Sequence, residues 1–230
     1  MRLYPISPIF AARLRSKTGK ISKKFMFEII DVHGSNIDSL IVLGNGDVDD
    51  QVIPIICHHL NGSKVVGITK PEGQTRINVL KNIPTYVSNL KIKTIVEIMD
   101  QEEDTLERIY NQIERHLQDM NIRFELVRNL NRAREYECRF GSRTFNFILV
   151  ISGVESLASE KHNIEDHLIQ AAIESSKLDI SMENARIDSK KIWRSFSKEN
   201  QYEILSEILN RKSLAQKILP QHFEGLKFLE

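Results

Sequence analysis

Two short apolar runs, each closing on a cluster of acids, constrain this chain more than any other feature. The first is Leu40-Ile41-Val42-Leu43, followed by Gly44-Asn45-Gly46-Asp47-Val48-Asp49-Asp50. The second is Thr94-Ile95-Val96-Glu97-Ile98-Met99, followed by Asp100-Gln101-Glu102-Glu103-Asp104. Brief runs of β-branched and aliphatic residues, each succeeded by a helical pattern, predict buried parallel strands. Open α/β sheets bind ligands just beyond the carboxyl ends of such strands. If the two strands are neighbours, their acids face one crevice, where a divalent cation would relieve the repulsion.

The helical patterns support an α/β sheet. Val52, Ile53, Ile56, Cys57 and Leu60 define one face, opened by Asp47 as N-cap with Asp49 and Asp50 in the first turn. Pro54 lies too deep for a first turn, so a kink or a later helix start is expected. Lys64–Ile68 reads as a strand, Thr69–Gln74 as a loop, and Ile77, Leu80 and Ile83 as a helix stopping near Pro84. Leu106, Ile109, Tyr110, Ile113 and Leu117 predict a strong helix over about 102–118, with Glu103 and Asp104 in its first turn.

Strands are also expected at Lys24–Val32 and Arg123–Val127, and a hairpin over Glu135–Ile151 turning at Gly141-Ser142. After Ser152 the pattern is helical only, around Ile164–Ile173, Tyr202–Leu209 and Leu214–Leu219, the last ended by Pro220. The expected organisation is a basic N-terminal arm and first strand (1–35), an α/β core (36–151) and a helical C-terminal appendage (152–230). The arm is suggested by seven Arg or Lys and no acid in the first 24 residues.

A net charge of +1 over 230 residues argues against a strongly basic nucleic-acid binder and leaves room for local basic patches. The hairpin region carries Arg123, Arg128, Arg132, Arg134, Arg139 and Arg143, partly offset by Glu125, Glu135 and Glu137. Cys57 and Cys138 fit no metal-ligand spacing and read as buried, reduced thiols of a cytoplasmic protein. The longest apolar run, Phe145–Ile151, is too short to cross a bilayer. His58 and His59 are adjacent, point apart on a helix and make a poor joint metal site.

The acidic loops resemble the topoisomerase–primase (Toprim) domain, in particular small Toprim-like proteins of archaea and bacteria related to the nuclease domain of OLD-type ATPase nucleases. That pattern is an apolar strand, Glu-Gly and a downstream Asp before a helix, then a glycine-bearing loop and a strand ending in Asp-x-Asp. Here Asn45-Gly46 aligns with Glu-Gly, Asp49 with the downstream Asp, Gly73 with the loop and Asp100-Gln101-Glu102 with Asp-x-Asp. The likeness spans Ser39 to Leu117. An Ile-Glu-Asp element, Ile164-Glu165-Asp166, resembles one found after the core of such proteins, although acids in an opening helical turn need no further reason.

The resemblance implies a mainly parallel Toprim-like sheet flanked by helices. It further implies a Mg²⁺ (or Mn²⁺) site at Asp100, Glu102 and Asp49, with Asn45, Asp49, Asp100 and Glu102 as the catalytic set for phosphodiester hydrolysis by water. Asn45 departs from the pattern. An amide exchanges no proton near neutral pH, though its carbonyl oxygen remains a ligand for a hard cation. The alternative is therefore a catalytically inactive module on the same fold, binding nucleic acid or protein.

Overall fold

The computed structural model describes residues 1–21, 37–44, 46, 48–60, 63–74, 76–178 and 187–229. Its elements in order are β1 (Arg2–Pro5), α1 (Pro8–Ile21), β2 (Ser39–Leu43), α2 (Asp49–Leu60) and β3 (Val65–Thr69). A 3₁₀ helix (Arg76–Asn82) leads into α3 (Ile83–Ser88), β4 (Thr94–Asp100) and α4 (Leu106–Asp119). The antiparallel ribbon β5 (Arg123–Leu130), β6 (Ala133–Phe140) and β7 (Arg143–Ser152) follows. Helices α5 (Ile164–Glu174), α6 (Ser189–Ser195), α7 (Lys198–Asn210), α8 (Lys212–Ile218) and α9 (Pro220–Lys227) complete the chain.

The seven strands form one sheet in the order β1-β3-β2-β4-β7-β6-β5, parallel from β1 through β7 and antiparallel beyond. The α/β class with a mainly parallel sheet and an added hairpin is thus as expected. All five residues of β2 are buried, as a strand covered on both faces requires. One face carries Ile41, Leu43, Val96 and Ile98 under α1, α2 and the helices from α5 onward. The other carries Leu40, Val42, Ile95 and Met99 under the 3₁₀ helix, α3 and α4.

The pairing that positions the candidate site is β2 with β4, in register from Ser39↔Thr94 to Leu43↔Ile98. Helix α2 leaves β2 toward the first face, whereas α4 leaves β4 toward the second. Chains departing to opposite faces open a crevice between the two carboxyl ends, the switch point of an open α/β sheet.

Several expectations are corrected. The stretch read as a basic arm supplies β1, paired with β3, and α1, which buries Phe10, Leu14, Thr18 and Ile21 along one side. Helix α2 starts at Asp49, with Gln51 and Val52 N–H groups on the Val48 carbonyl, and runs through Pro54. Ile53, Ile55 and Ile56 around that proline are fully buried, and this packing offsets the missing donor. The 3₁₀ helix ends at Asn82 and α8 at Ile218, as expected, but Pro84 and Pro220 also open α3 and α9, because a first turn has no partner for the missing N–H. Helix α4 begins after Glu103 and Asp104, capped by Thr105, whose hydroxyl accepts from Arg108 N–H at 3.2 Å.

The described elements after Ser152 are helices, as expected, and their Leu168, Ile204, Leu205, Ile218, Phe223 and Leu226 share one buried cluster with α2 and the sheet. The expected strand at Lys24–Val32 lies outside the described residues. Both cysteines are buried free thiols, each pushed up to about 12 by burial.

Helix α9 packs against β7 at Gly225, where a β-carbon would stand 2.2 Å from Val150 Cγ2. Gly225→Ala should therefore destabilise the fold by about 1–3 kcal/mol through overpacking. Val150→Ala in the same chain should recover part of that loss, so denaturant titration of the two single variants and the double should be non-additive. Additive losses would show that this contact does not set the α9 position.

Candidate functional site

A cleft of about 720 Å³ sits at the carboxyl ends of β2 and β4, lined by Gly44, Gly46, Asp49, Asp100, Glu102 and Glu165 on its floor. Four carboxylates reach it from different parts of the chain. Asp49 is the first residue of α2, Asp100 the last of β4, Glu102 lies two residues on, and Glu165 is in the opening turn of α5. Sequence reasoning placed Asp49, Asp100 and Glu102 here, and the structure brings all three together. Asn45 and Asp47 lie outside the described residues. Gly73 occupies an exposed turn at φ +68° and does not line the cleft.

Local geometry explains how each acid is held. A β-carbon at Gly46 would be 2.8 Å from Asp49 Oδ2, so the glycine lets this carboxylate sit against the loop. Asp100 Oδ1 accepts from Ile164 N–H at 2.8 Å, which aims the start of α5 at the end of β4. That helix start is fixed by Asn163, whose side chain accepts from Glu165 N–H at 3.0 Å. Glu102 adopts φ +58°, a conformation L residues rarely take, and is pinned by paired backbone hydrogen bonds to His162 of 2.7 and 3.0 Å.

These acids are costly to ionise together. Asp49 is raised to about 7, chiefly by burial, with Lys70 and Lys190 pulling down and Asp50 and Glu165 pushing up. Burial also lifts Asp100 well above the carboxylate range, with Asp49, Glu165 and Glu102 adding repulsion. Glu165 is 5 % exposed and raised by burial, and its Oε2 finds no hydrogen-bond partner among the described residues. One cation partly offsets the charge: Lys190 Nζ, from α6, lies 2.7 Å from Glu102 Oε1 and 3.8 Å from Asp100 Oδ2. Burial works against the Lys190 ammonium, but Glu102 and Asp100 hold its pKa above the ordinary value.

A second layer fixes the α2 side of the floor. Asp50 is fully buried, with Oδ1 2.7 Å from Lys70 Nζ and Oδ2 2.6 Å from Arg13 Nε and 3.2 Å from Lys17 Nζ. Lys70 also donates to the Gly46 carbonyl, tying the end of β3 to the loop after β2. Of the two neighbouring acids in α5, only Glu165 lines the cleft. Asp166 turns to His162 Nδ1 at 2.9 Å and Val154 N–H at 3.3 Å. Behind them His167 bridges the Ile218 carbonyl and the Gly153 N–H, which fixes its proton on Nδ1; burial depresses it to about 4, so it stays neutral.

The rim has the opposite sign. Lys17, Lys20, Arg194 and Lys198 line it, alongside Tyr202, and the buried Trp193 also borders the cleft. Lys190, Glu165 as a cleft residue and this rim are what sequence reasoning missed. Glu165 had a signal, the Ile-Glu-Asp element, and Lys17 and Lys20 belong to the basic N-terminal stretch; Lys190 pairs across 88 positions and carries none. Glu103 pairs with Lys161 at 2.7 Å and Asp104 with Arg108 at 3.2 Å, so both stay outside the floor.

Comparison with known family models, curated proteins and solved structures gives no match. Among the described residues no three His, Cys, Asp or Glu side chains stand ready around a single ion. The donor set nevertheless suits Mg²⁺, which takes one or two carboxylates and keeps several waters. A buried, mutually repelling acid cluster with an orphaned oxygen at Glu165 is what such an ion would stabilise.

Asp50→Ala would leave Lys70, its side chain only 4 % exposed, without its ion-pair partner. Breaking one side of a buried pair costs about 3–5 kcal/mol, and urea denaturation should register a loss of that size. A change under about 0.5 kcal/mol, the range of ordinary surface substitutions, would contradict the assigned role.

Glu97 provides a separate pH test. It lies mid-strand on β4, on the face of Ile95 and Met99, does not line the cleft, and is raised by burial from 4.5 to about 8. Between those values the native chain holds a proton that the unfolded chain has released. The stability it contributes is complete below about pH 4.5 and is lost as pH rises through 8. Relative to Glu97→Gln, the wild type should lose several kcal/mol from about pH 5 to about pH 8, at about 1.4 kcal/mol per unit. Parallel stability–pH curves for the two proteins would count against it.

Proposed function

We propose that this is a Toprim-like protein whose cleft binds Mg²⁺ and hydrolyses a phosphodiester of nucleic acid or a related phosphate ester. The observation that carries the reading is the meeting of Asp49, Asp100, Glu102 and Glu165 on one floor beneath a cationic rim. Asp100, Glu102 and Asp49 would hold the ion, with Glu165 as an added acid. Bound there, Mg²⁺ would neutralise charge on the phosphoryl oxygens and lower the pKa of a coordinated water.

The chain's own residues supply the rest. Lys17, Lys20, Arg194 and Lys198 attract and seat the phosphates. Asp49, seated against the loop at Gly46, would offer a carboxylate oxygen to take the proton of the attacking water. On this reading Asp49 carries the proton transfer that the family pattern assigns to the Glu replaced here by Asn45. Lys70, through Asp50 and the Gly46 carbonyl, keeps the loop beside Asp49 in place.

One observation favours a second reading, a non-catalytic module on the same fold. Lys190 already sits on Glu102 and Asp100, and an acidic floor neutralised from within would leave the basic rim to bind nucleic acid or a partner protein. Such binding would weaken steeply with salt through counterion release and would proceed without cleavage.

Cleavage of DNA and RNA substrates with Mg²⁺ or Mn²⁺ distinguishes the two. The catalytic reading predicts metal-dependent turnover that falls by about 10²–10⁴-fold in Asp49→Asn, with a comparable loss in Asp100→Ala. Equal turnover in wild type and Asp100→Ala would remove these acids from the chemistry. Salt-sensitive binding with no turnover would favour the module.

A further inference from the structure

The feature the proposed chemistry does not use is the lysine inside the acid cluster. Lys190 comes from α6, whose start is set by Asp188, the side chain of which accepts from Lys191 N–H at 2.9 Å. Its side chain is 29 % exposed, so the ammonium reaches the acids along the wall of the cleft and is not sealed beneath them. It is 2.7 Å from Glu102 Oε1 and 3.8 Å from Asp100 Oδ2. Those two carboxylates are half of the floor.

We propose that Lys190 decides which cation this floor takes: its ammonium is a resident cation that a divalent ion must displace before the carboxylates can hold it. The inference rests on the cation reading above and goes further, because it names the residue that sets the affinity. Mg²⁺ binds carboxylate oxygens at about 2.0–2.1 Å, closer than the ammonium sits to Glu102. The ammonium and the ion would contend for the same lone pairs and repel each other across the space between Glu102 and Asp100. Both cannot occupy it.

Two further observations agree with a displaceable ammonium. Glu165 Oε2, in the same cleft, is unpartnered, so the resident cation leaves part of the acid cluster unsatisfied. A lysine stem is also long and flexible enough to swing its charge from floor to rim without moving its helix. Arg194, on the same helix, already lines that rim. Divalent affinity in the wild type is therefore reduced by the work of evicting Lys190, and deleting its charge removes that work.

The test is Mn²⁺ binding by isothermal titration calorimetry, checked by the electron paramagnetic resonance signal of free Mn²⁺. It compares wild type, Lys190→Met, Lys190→Gln, Lys190→Arg and Asp100→Asn, with circular dichroism confirming that each is folded. Lys190→Met keeps the stem without the charge and should bind Mn²⁺ at least 10-fold more tightly. Lys190→Gln should do likewise, Lys190→Arg should stay near wild type and Asp100→Asn should lose binding. If wild type binds, Asp100→Asn does not, and neither neutral variant is tighter, the role of Lys190 is overturned while the cation site stands. If no protein binds Mn²⁺ at up to about 10 mM, the cation reading fails and this inference with it.

Discussion

Everything about the candidate site depends on the parallel pairing of β2 with β4 and on their helices leaving toward opposite faces. Pairing in the register Leu43↔Ile98 ends β2 beside the last residues of β4, which runs on to Asp100. Divergence of α2 and α4 then keeps either helix from filling the gap. Into that gap the chain places acids from α2, β4 and α5, and a buried carboxylate is tolerable only if it is paired, protonated or bound to a cation. The acids of the cleft meet this demand unequally. Asp49 is raised into the neutral range, Glu102 is paired with Lys190, and Glu165 retains an unsatisfied oxygen.

The surrounding structure fixes these groups at several backbone points. Asp100 is tied to the first N–H of α5, Glu102 is held in a left-handed conformation by His162, and Lys70 joins Asp50 to the Gly46 carbonyl. A strained residue and a set of buried like charges are both destabilising in isolation. They are concentrated at one switch point and offset by hydrophobic packing on both sheet faces.

Much of this was legible in the sequence because it is local. Buried parallel strands announce themselves as continuous apolar runs, and the acids that close them must fall at the strand ends. The prolines show where local reading fails. Pro84 and Pro220 look like stops, yet each also opens a helix, and Pro54 is carried within one by the fully buried isoleucines beside it. The N-terminal basic residues masked the spacing of Phe10, Leu14, Thr18 and Ile21, the buried side of α1. What could not be read was long-range: Arg13 and Lys17 meeting Asp50, and Lys190 meeting Glu102, are contacts of tertiary folding with no periodicity to reveal them.

The most direct measurement is a crystal structure of the protein soaked in Mn²⁺, with anomalous difference maps. The result expected is a peak in the cleft within coordination distance of Asp100 and at least one of Asp49, Glu102 and Glu165, with Lys190 Nζ moved off its present position. Acids pointing to separate surfaces, or a peak only at unrelated carboxylates, would contradict the convergence on which the proposed function stands.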